Sequence, residues 1–250
     1  MQRSALLRAA SNAPCPFRKE SGTARCVYFD LDGVLVDSRL GIVRCVNDTL
    51  VAFGYAALPS ERIEQIIGPP LRDGFAELIA QSDGDGRDAA ACVRYYRDLY
   101  EDVATTGGTL LQPGIVEMLA TVGRDATLAV ATSKSLRFTE PILTALGIRH
   151  AFAVVMGPTP ETDGESKSST LRRAMDAFVH QTGLVIDATD AFMVGDRYND
   201  IEAAFACGIV PIGVTWGFGS ERELRHAGAR HIVRDPRELA PLVGRIAGAA

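Results

Sequence analysis

A chain of 250 residues, 47% hydrophobic and 23% charged, has the composition of a globular protein with a full apolar core, enough for one or two domains. Its formal net charge of −5 gives no general attraction to nucleic acid or to an anionic membrane surface, so neither is expected as a partner. No apolar run reaches the length of a membrane span.

Residues 1–24 are basic and rich in Ser and Ala, with no acid before Glu20 and no secretory apolar stretch. A transit peptide or an upstream start codon would share that composition; the expectation is an untargeted tail on a cytoplasmic protein. The five cysteines (Cys15, Cys26, Cys45, Cys92 and Cys207) are scattered, with no C-x-x-C spacing, which suits a reducing compartment. Of the 26 basic residues 23 are arginine, and the lysines are Lys19, Lys134 and Lys167. Against that background a lysine marks a place where a compact ammonium serves better than a broad guanidinium.

An apolar, strand-like run at 26–29 ends in Asp30, followed by Asp32 and Gly33. Two carboxylates so close repel each other unless a cation sits between them or one holds a proton. Apolar spacing predicts helices over 40–53 (closed by Gly54), 60–65 (Ser60 as N-cap), 71–80 and 89–100, with breaks at Gly68-Pro69-Pro70 and in the Asp/Gly cluster at 82–86. Residues 40–106 thus hold helices and no strand, too long a block for an ordinary crossover, and read as an inserted helical cap. Alternation then resumes: helix 113–119, strand 128–131, helix 136–146 bent or delayed by Pro141, strand 152–156, helix 168–179, strand 191–194, helix 201–207 and strand 209–214. Segments 221–227, 231–233 and 237–246 finish the chain. The pattern predicts an α/β fold, a Rossmann-like parallel sheet with helices on both faces, formed by 25–39 and 107–250.

Four polar groups follow predicted strands: Asp30/Asp32, Thr132-Ser133, Lys167, and Asp196 with Asp200. In open α/β sheets that is where ligands bind. YFDLDGVLVDS (28–38), VATSK (130–134), Ser166-Lys167 and VGDRYNDIEAA (194–204) resemble, in order, the four motifs of the haloacid dehalogenase-like (HAD) hydrolases. IIGPPLRDGF (66–75) and GVTWGFGSERELRHAGA (213–229) are similar to segments of that family's phosphoglycolate phosphatase-like branch, some members of which are 5'-nucleotidases.

The resemblance implies a Mg2+-dependent phosphatase acting on a small phosphorylated metabolite, phosphoglycolate-like or a 5'-nucleotide, through an aspartyl-phosphate intermediate. Asp30 would be the nucleophile and Asp32 the general acid and base, with Thr132 and Lys167 completing the catalytic set. Mg2+ would be held by Asp30, the Asp32 main-chain carbonyl and Asp196, with Asp200 as a further or water-mediated ligand. Gly33, Thr132, Ser133 and Lys167 would bind the phosphate, and Arg44 and Arg72 of the cap would meet an anionic part of the substrate. Lys134 is expected to face solvent, and the four histidines receive no role. Ser168 after Lys167, where the wider family often has proline, departs from the pattern and weakens a strict phosphoglycolate assignment. A phosphomutase of the β-phosphoglucomutase type, or a non-catalytic binding protein on the same fold, would share these motifs; monomer and homodimer both remain open.

Overall fold

A computed structural model describes residues 25–82, 84 and 86–247. The expected tail at 1–24 lies outside the described residues. The first strand, β1 (Cys26–Phe29), is buried along its whole length. Its side chains alternate between two cores, as the period of two requires. Val27 and Phe29 enter one apolar cluster, and Cys26 and Tyr28 enter the other.

Next comes β2 (Val36–Asp37), then four helices: α1 (Arg39–Ala52), α2 (Ser60–Glu64), α3 (Leu71–Gln81) and α4 (Ala89–Val103). The chain returns through β3 (Leu110–Leu111), which pairs antiparallel with β2. This two-residue ribbon escapes sequence reading because two residues show no periodicity. Then follow α5 (Ile115–Val122), β4 (Thr127–Ala131), α6 (Leu136–Ala145), β5 (Val154–Met156), α7 (Lys167–Thr182), β6 (Ala191–Gly195), α8 (Tyr198–Cys207), β7 (Val210–Val214), α9 (Glu221–His226), β8 (His231–Val233) and α10 (Leu239–Ala247).

The main sheet is parallel throughout, in the order β5-β4-β1-β6-β7-β8. The chain leaves β1 for β4 and β5 on one side, then crosses to β6, β7 and β8 on the other. That reversal beside β1 is the switch point where α/β sheets open a crevice at the carboxyl ends of their strands. On one face Tyr28, Met193 and Ala129 pack against Leu171, Ala174 and Phe178 of α7 and Ala203 and Ala204 of α8. On the other, Phe29 and Val194 join a core shared by α5, α10 and the helical segment.

Three local expectations are corrected. Pro59, in extended backbone, is the N-cap of α2, and Ser60 is its first helical residue. Pro141 lies inside α6 without delaying its start. Helix α8 begins three residues earlier than its apolar pattern, because Asp200 closes a capping arrangement with the Arg197 amide at 3.1 Å.

Candidate active site

Strand ends deliver the polar side chains. β1 runs into Asp30, 3% exposed, whose amide donates to the Val194 carbonyl at 3.0 Å. The turn behind it needs Gly33. Its φ is +88°, and a Cβ there would sit 2.3 Å from Asp196 Oδ2. The Gly33 N–H donates to the Val36 carbonyl at 2.8 Å, so the amide is committed within the turn. That corrects the expectation of Gly33 as a phosphate ligand; its part is to let the loop pass beneath Asp196. Strand β6 ends in Gly195, followed by Asp196, and Asp200 stands in the first turn of α8. A Cβ on Gly195 would lie 2.1 Å from that of Asp200, so only the bare backbone fits.

Lys167 opens α7, whose N-cap Ser166 Oγ accepts the Ser169 N–H at 3.2 Å. The buried ammonium lies 2.6 Å from Asp30 Oδ1 and 2.8 Å from Asp200 Oδ1, ion pairs without hydrogen-bond alignment. One carboxylate oxygen from each of Asp30, Asp196 and Asp200 falls within 4.8 Å of the others. Burial first, then the neighbouring Asp200, lifts the Asp30 carboxyl to about 6, while Lys167 opposes the rise. Burial, Asp200 and Asp30 push Asp196 well above the ordinary carboxylate range. For Lys167 burial acts to lower the pKa, and the two acids outweigh it.

Three carboxylates face one ammonium here. Asp196 Oδ2 accepts the Phe218 N–H at 2.6 Å, but Oδ1 is buried and has no hydrogen-bond partner among the described residues. An excess of buried negative charge, oxygen donors alone and an orphaned carboxylate oxygen fit a hard divalent cation such as Mg2+.

β4 delivers Thr132, buried, with Ser133 and Lys134 behind it on the same cleft. Thr132 Oγ1 accepts the Lys134 N–H at 3.1 Å, leaving its hydroxyl hydrogen for an acceptor in the cleft. Lys134 is the clearest correction to the sequence reading. Its side chain is 7% exposed, and Nζ bonds both oxygens of Asp32 at 2.8 and 3.1 Å. The ammonium also lies 4.6 Å from the centre of the Tyr100 ring. Ser38 Oγ donates to Asp32 Oδ1 at 2.6 Å. The Asp32 carboxylate is thus turned toward the helical segment.

Of the two arginines expected in the cap, Arg72 lines the cleft from an exposed position on α3. Arg44 does not. It is 72% exposed on the outer face of α1, with Nε 3.8 Å from Asp48 Oδ2. Its spacing from the buried positions of α1, which include Ile42, Cys45 and Val46, turns it outward. The cleft over Asp30 and Asp32 is walled by Ile66, Tyr96 and Tyr100 of the helical segment and by Phe138 of α6.

Sequence reading also missed the fastening of the helical segment. Arg197 donates through Nη2 to the Gln65 carbonyl at 3.3 Å and through Nη1 to that of Ile67, while Nε bonds Glu223 at 2.9 Å. Asn199 Nδ2 donates to the Gly68 carbonyl at 3.1 Å. No spacing rule links positions this remote. For Lys134 a signal existed: the scarcity of lysine that singles out Lys167 applies equally to it.

The chain is similar to several known proteins. A 5'-nucleotidase of Pseudomonas aeruginosa is 34% identical over 210 residues, covering 84% of this chain and 90% of that protein. A probable phosphatase, IndB, of Dickeya dadantii is 32% identical over 225 residues, covering 90% and 92%. The crystal structure of a predicted phosphatase from Clostridium acetobutylicum superposes with a TM-score of 0.79 at 31% identity, over 90% of this chain and all of that one. The family model described as haloacid dehalogenase-like hydrolase matches residues 27–214. With three-quarters of its length inside that match, the chain belongs to the haloacid dehalogenase-like hydrolase family.

Proposed function

We propose that the protein is a Mg2+-dependent phosphatase that hydrolyses a small phosphate monoester through an aspartyl-phosphate on Asp30. The reading is carried by one observation: Asp30, Lys167 and the Asp196/Asp200 pair, from three remote stretches of sequence, meet in one buried cluster whose Asp30 also lines a cleft. It is further supported by relatives named 5'-nucleotidase and phosphoglycolate phosphatase. Asp30 and Asp196 would hold the cation with the Asp32 carbonyl, and Asp200 would support them. When bound, the cation neutralises charge on the phosphoryl oxygens and on the buried acids.

The chain's own residues do the rest. An Asp30 oxygen attacks phosphorus, and the bond to the leaving oxygen breaks. Asp32 gives that oxygen a proton, then takes one from the water that attacks the aspartyl-phosphate. Lys167 offsets the charge of nucleophile and phosphate, and the Thr132 hydroxyl donates to a phosphate oxygen. The helices between β2 and β3 act as a cap that keeps water from the intermediate until the alcohol has left.

Asp30→Asn tests this directly. Phosphate release should fall to background on every ester while the thermal unfolding midpoint stays within a few degrees of the parent. Turnover at near-parental rate in that variant removes Asp30 as nucleophile.

A further inference from the structure

The inner wall of the cleft is apolar. Ile42 of α1, Ile66 after α2, Val93, Tyr96 and Tyr100 of α4, and Phe138 of α6 all line it and are all buried. The volume of the cleft is about 250 Å3. That is below the ~300–1,000 Å3 common for drug-sized ligands, so it suits one small organic group beside a phosphate.

The charges on this wall are matched. Lys134 is held by both oxygens of Asp32. Arg97 bonds both oxygens of Asp163, at 2.9 and 2.5 Å. Asp32 and Asp163 line the cleft themselves, as does Glu165, which is paired with Arg173. Arg72 is exposed at the mouth, where water and salt weaken its hold on any anion. Lys167 belongs to the phosphate end, with Asp30 and Asp200. A second anionic group on the substrate would therefore leave water for an apolar wall beside the carboxylates of Asp32, Asp163 and Glu165. Among the described residues lining that wall, the buried Lys134 and the half-buried Arg97 are already engaged. Burying an unpaired charge in such a place is strongly unfavourable.

We propose that the cleft selects phosphate monoesters whose leaving group is uncharged and largely apolar, and rejects those bearing a second anion, whether carboxylate or phosphate. The inference rests on the phosphatase reading above and names the substrate class for the same site.

The test uses the full chain with Mg2+ and matched esters. Phosphate release is measured for propyl phosphate against phosphoglycolate, and for a nucleoside 5'-monophosphate against its 3',5'-bisphosphate. The member of each pair whose leaving group is uncharged should show kcat/KM higher by about tenfold or more, the ratio set by ~1.4 kcal/mol of discrimination. Asp163→Asn, which frees Arg97 from its partner, should narrow that ratio. Because both esters are read on one preparation, partial unfolding of the variant leaves the ratio unaffected. Phosphoglycolate turned over as fast as propyl phosphate overturns the selection and leaves the phosphatase reading standing. A ratio unmoved by Asp163→Asn overturns the role given to the matched charges. No release from any ester overturns both readings together.

Discussion

Lys134 and Lys167 divide the work of two ammonium groups between the two aspartates of one loop. Lys167 sits on Asp30, and Lys134 on Asp32. On the proposed mechanism the first would neutralise the nucleophile, and the second would fix the direction of the group that moves protons. Lys134→Met should therefore lower kcat by about 10- to 100-fold on alkyl phosphates, part of the ~100- to 10,000-fold that general acid–base catalysis supplies. The loss should shrink on p-nitrophenyl phosphate, whose leaving oxygen needs little help from an acid, and a variant that merely unfolds would lose both alike. Asp30 offers a pH test. Its carboxyl rises from 3.8 to about 6 on burial, so the folded protein disfavours the ionised form. The stability this confers is present below about 4 and is lost as pH climbs through about 6. Without Mg2+, the melting temperature of the parent minus that of Asp30→Asn should fall across this window. A flat difference would mean that burial is relieved in some other way. Asp30, Asp32, Lys167 and Asp196 were legible in the sequence because each follows a strand in a recognisable order. Lys134 was marked only by the scarcity of lysine, since a lysine two residues past Thr132 has no local pattern to separate a cleft-facing side chain from a solvated one.

At the scale of elements, the turn between α2 and α3 is fastened to the start of α8. Arg197 and Asn199 grip the carbonyls of Gln65, Ile67 and Gly68, and Glu223 of α9 steadies the guanidinium. Arg197 lies beside Asp196, so the fastening joins the roof of the cleft to the buried acid cluster. Arg197→Met keeps the apolar stem but loses these donors. Each charge-assisted bond contributes ~1.5–3 kcal/mol at most. The variant should raise KM more than it lowers kcat, and limited proteolysis should cut the 65–70 turn faster. Equal proteolysis of variant and parent would show that the turn is held by packing alone. The helices and long strands were legible from periodicity, and their ends less so. α8 starts at Tyr198 because a polar cap, invisible to apolar spacing, extends it past its buried face. The ribbon β2–β3 exists through tertiary pairing, which overrides what two residues can signal.

For the whole molecule, the deciding feature is the parallel sheet with β1 at its centre, flanked by β4 and β6. Every group in the proposed mechanism lies at the carboxyl-terminal end of that sheet's strands, and the four-helix segment covers the same end. The buried acids face a single ammonium, and on the proposed reading a bound cation would compensate their charge, so added Mg2+ should raise the melting temperature. Binding at a hundred times the dissociation constant adds ~2.7 kcal/mol. Calcium or magnesium without effect on unfolding would count against the metal reading. Val36 faces Leu111 and Asp37 faces Leu110, so the helical block departs and comes home through adjoining chain ends. A block attached in this way is an interchangeable part: exchanging it for that of another family member at this seam would hand the host a new appetite for alcohols while its phosphate chemistry stays in place.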